Sequence, residues 1–314
     1  MKAIQLHIEP SQVPLTWDEF IATKPPFSIA LDGYVYGATK FLSTKNGPYA
    51  NFNHHEEVDR LSTRATCAQI LVALRQGLVD AFMNNGQATM HVYVNDCDQD
   101  VCLSWFLLNN HFLCYNTINP VINRLVHLED MMDTCSGAYP FNMDMDTLRH
   151  MAWVFEPYTT FRMNGGVDRK SEKEFEIVIK DVERRIYEHI MGRSESTILN
   201  MSFKKIGGGK NWAMVIEEGF NARTAMMSVG IKAFVSVRTR ADGNYTYSVG
   251  KMSGYIPFDI PGILSELNSL EKNLIDTWGG SNTIGGSPRV AGSKLSPKEV
   301  EDAINNFMKT HYDT

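Results

Sequence analysis

Apolar positions along the first half of the chain alternate between short continuous runs and runs at helical spacing. Ser28 to Leu31 and Met90 to Val94 are buried-strand patterns, whereas Ala65, Ile70, Leu71, Leu74 and Leu78 recur as one face of a helix over 63–82, and a further helix follows over 101–108. Strands alternating with helices predict a parallel or mixed sheet. The segment 157–170 contains Gly165 and Gly166 and reads as a loop. Ser171, with Glu174 three residues on, then caps a long helix whose apolar face is Phe175, Val178, Val182, Ile186 and Ile190. From Ser196 the pattern turns to strands, at Trp212–Glu217, 234–239 and 245–249, with a turn at 241–244 and a helix over 260–274.

These shifts predict an α/β chain of two domains: a mostly parallel-sheet domain over 1–155, a connecting loop and helix over 156–195, and a smaller α/β domain over 196–314. At 314 residues both have room for a core. Charge divides along the same lines. Residues 1–155 hold 9 Lys+Arg against 16 Asp+Glu, and residues 196–314 hold 13 against 11. An acidic first half suits cation binding, and a mildly basic last third suits an anion. Neither has the dense positive field of a long-duplex binder. The most apolar stretch, 102–115, is broken by Asn109, Asn110 and His111, so no membrane span is expected, and residues 1–10 lack the pattern of a secretory leader. Five cysteines without a Cys-x-x-Cys pair fit a reduced, cytoplasmic protein.

The chemistry concentrates in Asp96, Asp98 and Asp100, three acids at alternate positions between an apolar run and a helix. Like charges so close repel, and a divalent cation reverses that penalty. Asp32 ends another apolar run, Glu129, Asp130 and Asp133 lie at the end of a third, and the carboxyl ends of strands are where ligands collect in open α/β sheets. The adjacent pair His54 and His55, in an extended loop, would point in opposite directions, one toward a metal and the other toward a substrate oxygen. Carboxylate and imidazole without thiolate suit Mn²⁺ or Mg²⁺ better than structural zinc. Gly285 and Gly286, followed by Ser287, Pro288 and Arg289, form a glycine-rich stretch that would let a phosphate approach backbone N–H groups. Gly207, Gly208, Gly209 and Lys210 lack the spacing of a phosphate loop and read as a hairpin turn.

The triple Asp with Ser104 four residues on resembles the aspartate motif of the DHH phosphoesterase superfamily in its RecJ-like branch, and Asn53-His54-His55 resembles its Asp-His-His triplet. The stretch from Gly285 to Gly292 is similar to the glycine loop of the DHH-associated C-terminal domain, Arg238 to its substrate-binding strand arginine, and Asp133-Thr134 to the last metal aspartate. Asn53 stands where the family has Asp, Ser287 where it has His, and the two metal motifs come in reversed order. The resemblance implies one or two Mn²⁺ or Mg²⁺ ions held by Asp32, His54, Asp96, Asp98, Asp100 and Asp133, with His55 and Asp100 catalytic. It implies a substrate phosphate held by Arg238, Gly285, Gly286, Ser287 and Arg289. The expected activity is hydrolysis of a phosphoester or phosphodiester in a nucleotide or short oligonucleotide. A nucleotide-binding regulatory protein on the same scaffold and an inorganic pyrophosphatase stay open as alternatives, as does a homodimer.

Overall fold

The computed structural model describes residues 3–115, 119–271 and 276–312. The chain is a mixed α/β protein that divides into two compact units, 1–134 with 146–198, and 135–145 with 199–314.

The first unit is built on a five-stranded sheet. Its order in space is Ile4–Ile8, Met90–Val94, Ser28–Leu31, Gly47–Phe52 and Lys40–Thr44, the first four parallel and the last an antiparallel hairpin edge. Ile29, Ala30 and Leu31 are fully buried, as a strand covered on both faces requires, which is why this run shows no polar alternation. Asp32, Asn53 and Asn95 are the first residues beyond the carboxyl ends of three neighbouring parallel strands. The topology therefore collects Asp32, the His54–His55 loop and the triple Asp along one edge of the sheet.

Two sequence expectations change here. The helix expected over 63–82 forms as Thr66–Arg75 and breaks at Gly77, whose φ of +97° ends the turn before a short helix at Leu78–Ala81. The loop expected at 157–170 is largely helix, because Asp146–Met163 runs through Pro157. Proline has no N–H for the carbonyl of Trp153 four residues back. Arg185 donates to that oxygen instead, while its guanidinium lies 4.9 Å from the Trp153 ring and pairs with Glu156 at 2.7 Å. Arg185 belongs to the long helix Glu172–Ile190, N-capped by Ser171, which packs within the first unit.

The second unit carries a six-stranded sheet in the order Gly279–Gly280, Ile284–Gly286, Tyr245–Lys251, Ala233–Thr239, Trp212–Glu217 and Phe203–Gly209. All its neighbours are antiparallel except Trp212–Glu217 with Ala233–Thr239. One face buries Val235, Tyr247 and Val249 with Leu264, Trp278 and Ile304, and the other sets Val215 and Phe234 against Met226. A hairpin joins Phe203–Gly209 to Trp212–Glu217, as the sequence predicts, but Gly207, Gly208 and Gly209 are paired strand residues and the turn itself is Lys210 and Asn211. The expected helix over 260–274 is Ile260–Glu271, and residues 272–274 lie outside the described residues.

Candidate metal centre

Leu31, Asp32, Gly33 and Tyr34 form a tight turn, with the Tyr34 N–H donating to the Leu31 carbonyl at 3.1 Å. Both central residues have positive φ, +50° at Asp32 and +82° at Gly33. Asp-Gly is one of the few pairs that tolerate that conformation, so the turn and the candidate ligand are the same feature. Its carboxylate is buried. Asp32 Oδ1 accepts the Thr66 hydroxyl at 3.0 Å and lies 2.9 Å from His55 Nε2 and 3.5 Å from His54 Nε2.

His54 and His55 do not point apart. Both Nε2 atoms face the same oxygen of Asp32, with ring centroids 4.5 Å apart. The reason is Asn53. Its Oδ1 accepts the His55 N–H at 3.1 Å and curls the loop, while its Nδ2 donates to the carbonyls of Val35 and Gly37 and to Glu56. Asn53 is fully buried and spends its amide on the backbone. A carboxylate there would set an acceptor against two carbonyls, which gives the departure from Asp-His-His a structural cause.

The triple Asp separates by role. Asp98 is the N-cap of the helix Gln99–Asn109, accepting the Val101 N–H at 2.9 Å, and Asp96 accepts the N–H of its neighbour Cys97 at 2.6 Å. Asp100 points inward. Its two oxygens accept the N–H groups of Thr66 and Cys67, at 2.7 and 2.6 Å, at the start of the helix Thr66–Arg75, where backbone donors and helix dipole favour an anion. Asp130 takes the preceding N–H, that of Ala65, at 2.7 Å.

His54 stands at the centre, with no exposed surface. Its Nε2 lies 2.7 Å from Asp133 Oδ2, 3.5 Å from Asp32 Oδ1 and 3.7 Å from Asp100 Oδ2. Two overlapping groups result, Asp32 with His54 and His55, and His54 with Asp100 and Asp133, each with ligand atoms within 4.8 Å of one another. At 2.7 Å, His54 Nε2 and Asp133 Oδ2 form a buried ion pair when the imidazole is protonated, although they do not align as a hydrogen bond. Carboxylates that converge on one buried imidazole nitrogen hold its protonated form as an ion pair and, once it loses the proton, offer with it the ligand atoms of a cation.

Charge at the site follows from burial and crowding. Burial would lower the pKa of His54, but the carboxylates of Asp133 and Asp32 raise it to about 11. Burial would raise Asp32, yet the imidazoles of His55 and His54 outweigh it and hold the carboxyl well below its ordinary range. Asp100 is pushed up to about 7 by burial and by the charges of Asp32 and Asp133. Burial, followed by the charge of Asp32, also raises Asp98 and Asp96. In the absence of a cation, burial and mutual repulsion favour the neutral form of Asp96, Asp98 and Asp100, and the neighbouring carboxylates favour the charged form of His54 and His55.

Two residues join the site that the sequence did not single out, and a third that it left unresolved. Thr66 bonds Asp32 through its hydroxyl and Asp100 through its N–H. Arg60 Nη2 donates to the carbonyl and Oδ1 of Asp133, at 3.2 and 3.3 Å. Glu129, one helical turn before Asp133, is buried with Oε2 unpartnered, and burial together with the Asp133 charge raises its pKa well above the usual carboxylate range.

The nominated phosphate residues lie in the second unit. Gly285 and Gly286 do not form an open nest: they belong to a strand paired on both sides, to Tyr245–Lys251 and to Gly279–Gly280. A Cβ on Gly285 would stand 2.6 Å from Leu264, and one on Gly286 would stand 2.7 Å from the Tyr247 carbonyl, so close packing explains these glycines. Ser287 is buried, with its hydroxyl accepting the Tyr247 N–H at 3.0 Å. Arg238 and Arg289 are exposed.

No protein-family profile matches the chain, and no curated protein does. Among solved structures, the chain has a likeness to an uncharacterized protein from Helicobacter pylori G27, at 11% identity over 90% of this chain and 99% of that one, with a TM-score of 0.20. Among the described residues, no helix is long and apolar enough to cross a membrane.

Proposed function

We propose that the first unit binds one or two divalent cations, Mn²⁺ or Mg²⁺, and that the protein is a metal-dependent phosphoester hydrolase acting on a nucleotide or short oligonucleotide. The observation that carries this reading is the convergence of His54 Nε2 on Asp133, Asp32 and Asp100 without hydrogen-bond alignment to the nearest of them. The donor set fits the ion: buried carboxylates and imidazoles, with the Cys67 thiol held protonated by burial and by the charge of Asp100.

In this reading Asp32, His54, Asp100 and Asp133 hold the metal, with Asp32 shared between the two imidazoles. A divalent ion so held polarises a phosphoryl oxygen and lowers the pKa of bound water. His55, with about 30% of its side chain exposed, faces the scissile phosphate, because it alone of the two imidazoles reaches solvent. Thr66 and Arg60 keep Asp32 and Asp133 oriented. Asp96 and Asp98, whose neutral forms burial favours, bond backbone N–H groups at the start of the following helix. The DHH resemblance is part of this proposal, and it rests on the triple Asp, the His pair and Asp133.

Incubation of the purified protein with Mn²⁺ and a panel of short oligonucleotides, cyclic dinucleotides, bis-phosphorylated nucleosides and pyrophosphate tests it. Phosphate or nucleotide release that stops on chelation and in Asp133→Asn supports hydrolysis. Binding without turnover across metals and pH would replace it with the regulatory reading, and release from pyrophosphate alone with the pyrophosphatase reading.

A further inference from the structure

The second unit has an open groove of about 640 Å³ that no part of the metal centre uses. It lies where the strand Trp212–Glu217 and the strand Ala233–Thr239 begin, beside the edge strand Phe203–Gly209. Its floor is apolar, formed by Trp212, Ile231 and Pro257 among others, and Trp212 is fixed there by a hydrogen bond from Nε1 to Asn305 at 3.1 Å. Its rim carries Lys205 and Lys232, both exposed and neither paired with a carboxylate among the described residues. No acidic residue lines it, although the chain as a whole has a net charge of −6. Over the rim stands Tyr255, 94% exposed. With its ring almost wholly exposed beside an apolar floor, Tyr255 is free to cover a molecule bound in the groove.

We propose that this groove binds a small aromatic phosphate of nucleoside diphosphate size. The ring of Tyr255 stacks on the base, and Lys205 and Lys232 neutralise the phosphates. Each feature excludes a simpler ligand: two unpaired ammonium groups disfavour a purely apolar molecule, while inorganic phosphate would leave the ring and the apolar floor unused. The volume falls in the range of small-molecule sites, about 300 to 1,000 Å³, and base–aromatic stacking tolerates any base. This inference is independent of the metal centre.

Isothermal titration of the full chain with ADP, in the presence of a chelator, tests it without the metal. Wild type should bind ADP, and the double variant Lys205→Glu, Lys232→Glu should bind it at least tenfold more weakly with an unchanged thermal melt. Tyr255→Ala should weaken ADP several-fold and leave the weaker binding of pyrophosphate unaltered. Absence of ADP binding to wild type, or equal binding by the double variant, would overturn the proposal. Equal loss of ADP and pyrophosphate in Tyr255→Ala would overturn the stacking role.

Discussion

His54 Nε2 stands 2.7 Å from Asp133 Oδ2 as a buried ion pair without hydrogen-bond alignment, whereas Asp100 in the same cluster accepts two well-made backbone bonds. The two carboxylates therefore answer differently to the same isosteric change. Asp133→Asn relieves a crowded acidic centre but loses the ion pair with His54 and the Arg60 contact to Oδ1, two opposed effects, so the metal-free variant should melt closer to wild type than Asp100→Asn does. Asp100→Asn sets an amide NH2 against the N–H of Thr66 or Cys67 and should destabilise the protein by about 1 to 3 kcal/mol, the cost of an unsatisfied buried donor. Urea denaturation of both variants in chelator checks this. Equal losses in the two would mean that Asp133 is as structural as Asp100.

Metal-free stability should fall as pH rises from about 4 to about 7. Asp100 has a folded pKa of about 7 against an ordinary value of 3.8, so in that window the unfolded chain is ionised while the folded one must hold a proton. The raised values of Asp98 and Glu129 act in the same direction. His54, raised to about 11, contributes stability in full below about pH 6.5 and loses it progressively above. Asp32, held low, is ionised in both states above about pH 4 and adds no slope there. Bound metal favours the ionised carboxylates and displaces the His54 proton, so the stabilisation by Mn²⁺ should grow with pH. Thermal melts with and without Mn²⁺ at pH 5, 6, 7 and 8 read both trends. A metal-free melting temperature that rises across this range would contradict the assignment of buried, protonated acids.

Asn53→Asp, which restores the family residue, should not improve the site. The Asn53 amide donates to two backbone carbonyls, at 3.2 and 3.0 Å, and a carboxylate cannot. The variant should lose about 1 to 3 kcal/mol of stability and bind metal no more tightly than wild type. Tighter Mn²⁺ binding by the variant, measured by titration calorimetry, would mean that position 53 faces the ion.

The sheet of the first unit was legible because a strand covered on both faces reads as an unbroken apolar run, as at 28–31 and 90–94, and because acids follow such runs at its carboxyl edge. Asp32 was found on that signal, and His54 as one of an adjacent pair in the loop after Gly47–Phe52; Asp133 was reached by a wrong route, because the apolar run before it is not a strand but part of the helix Pro120–Thr134. Asp96 and Asp98 drew attention by spacing alone. Capping a helix and binding a metal both need an acid at that point, and only side-chain direction separates the two. Thr66 and Arg60 carried no signal, since a threonine at a helix start and an arginine in a loop are ordinary. The helix through Pro157 was hidden because the compensating donor, Arg185, comes from a different helix 28 positions on. Gly285 and Gly286 misled for a related reason: glycines demanded by close strand packing look in sequence like glycines demanded by a ligand.

The most direct test of the central claim is the number of Mn²⁺ ions bound per chain, measured by elemental analysis after equilibrium dialysis of wild type, His54→Ala and Asp133→Asn. The account predicts one or two ions on wild type and a loss of at least one ion in each variant whose fold, by circular dichroism, is intact. Wild type that retains no metal, or variants that retain as much as wild type, would contradict it.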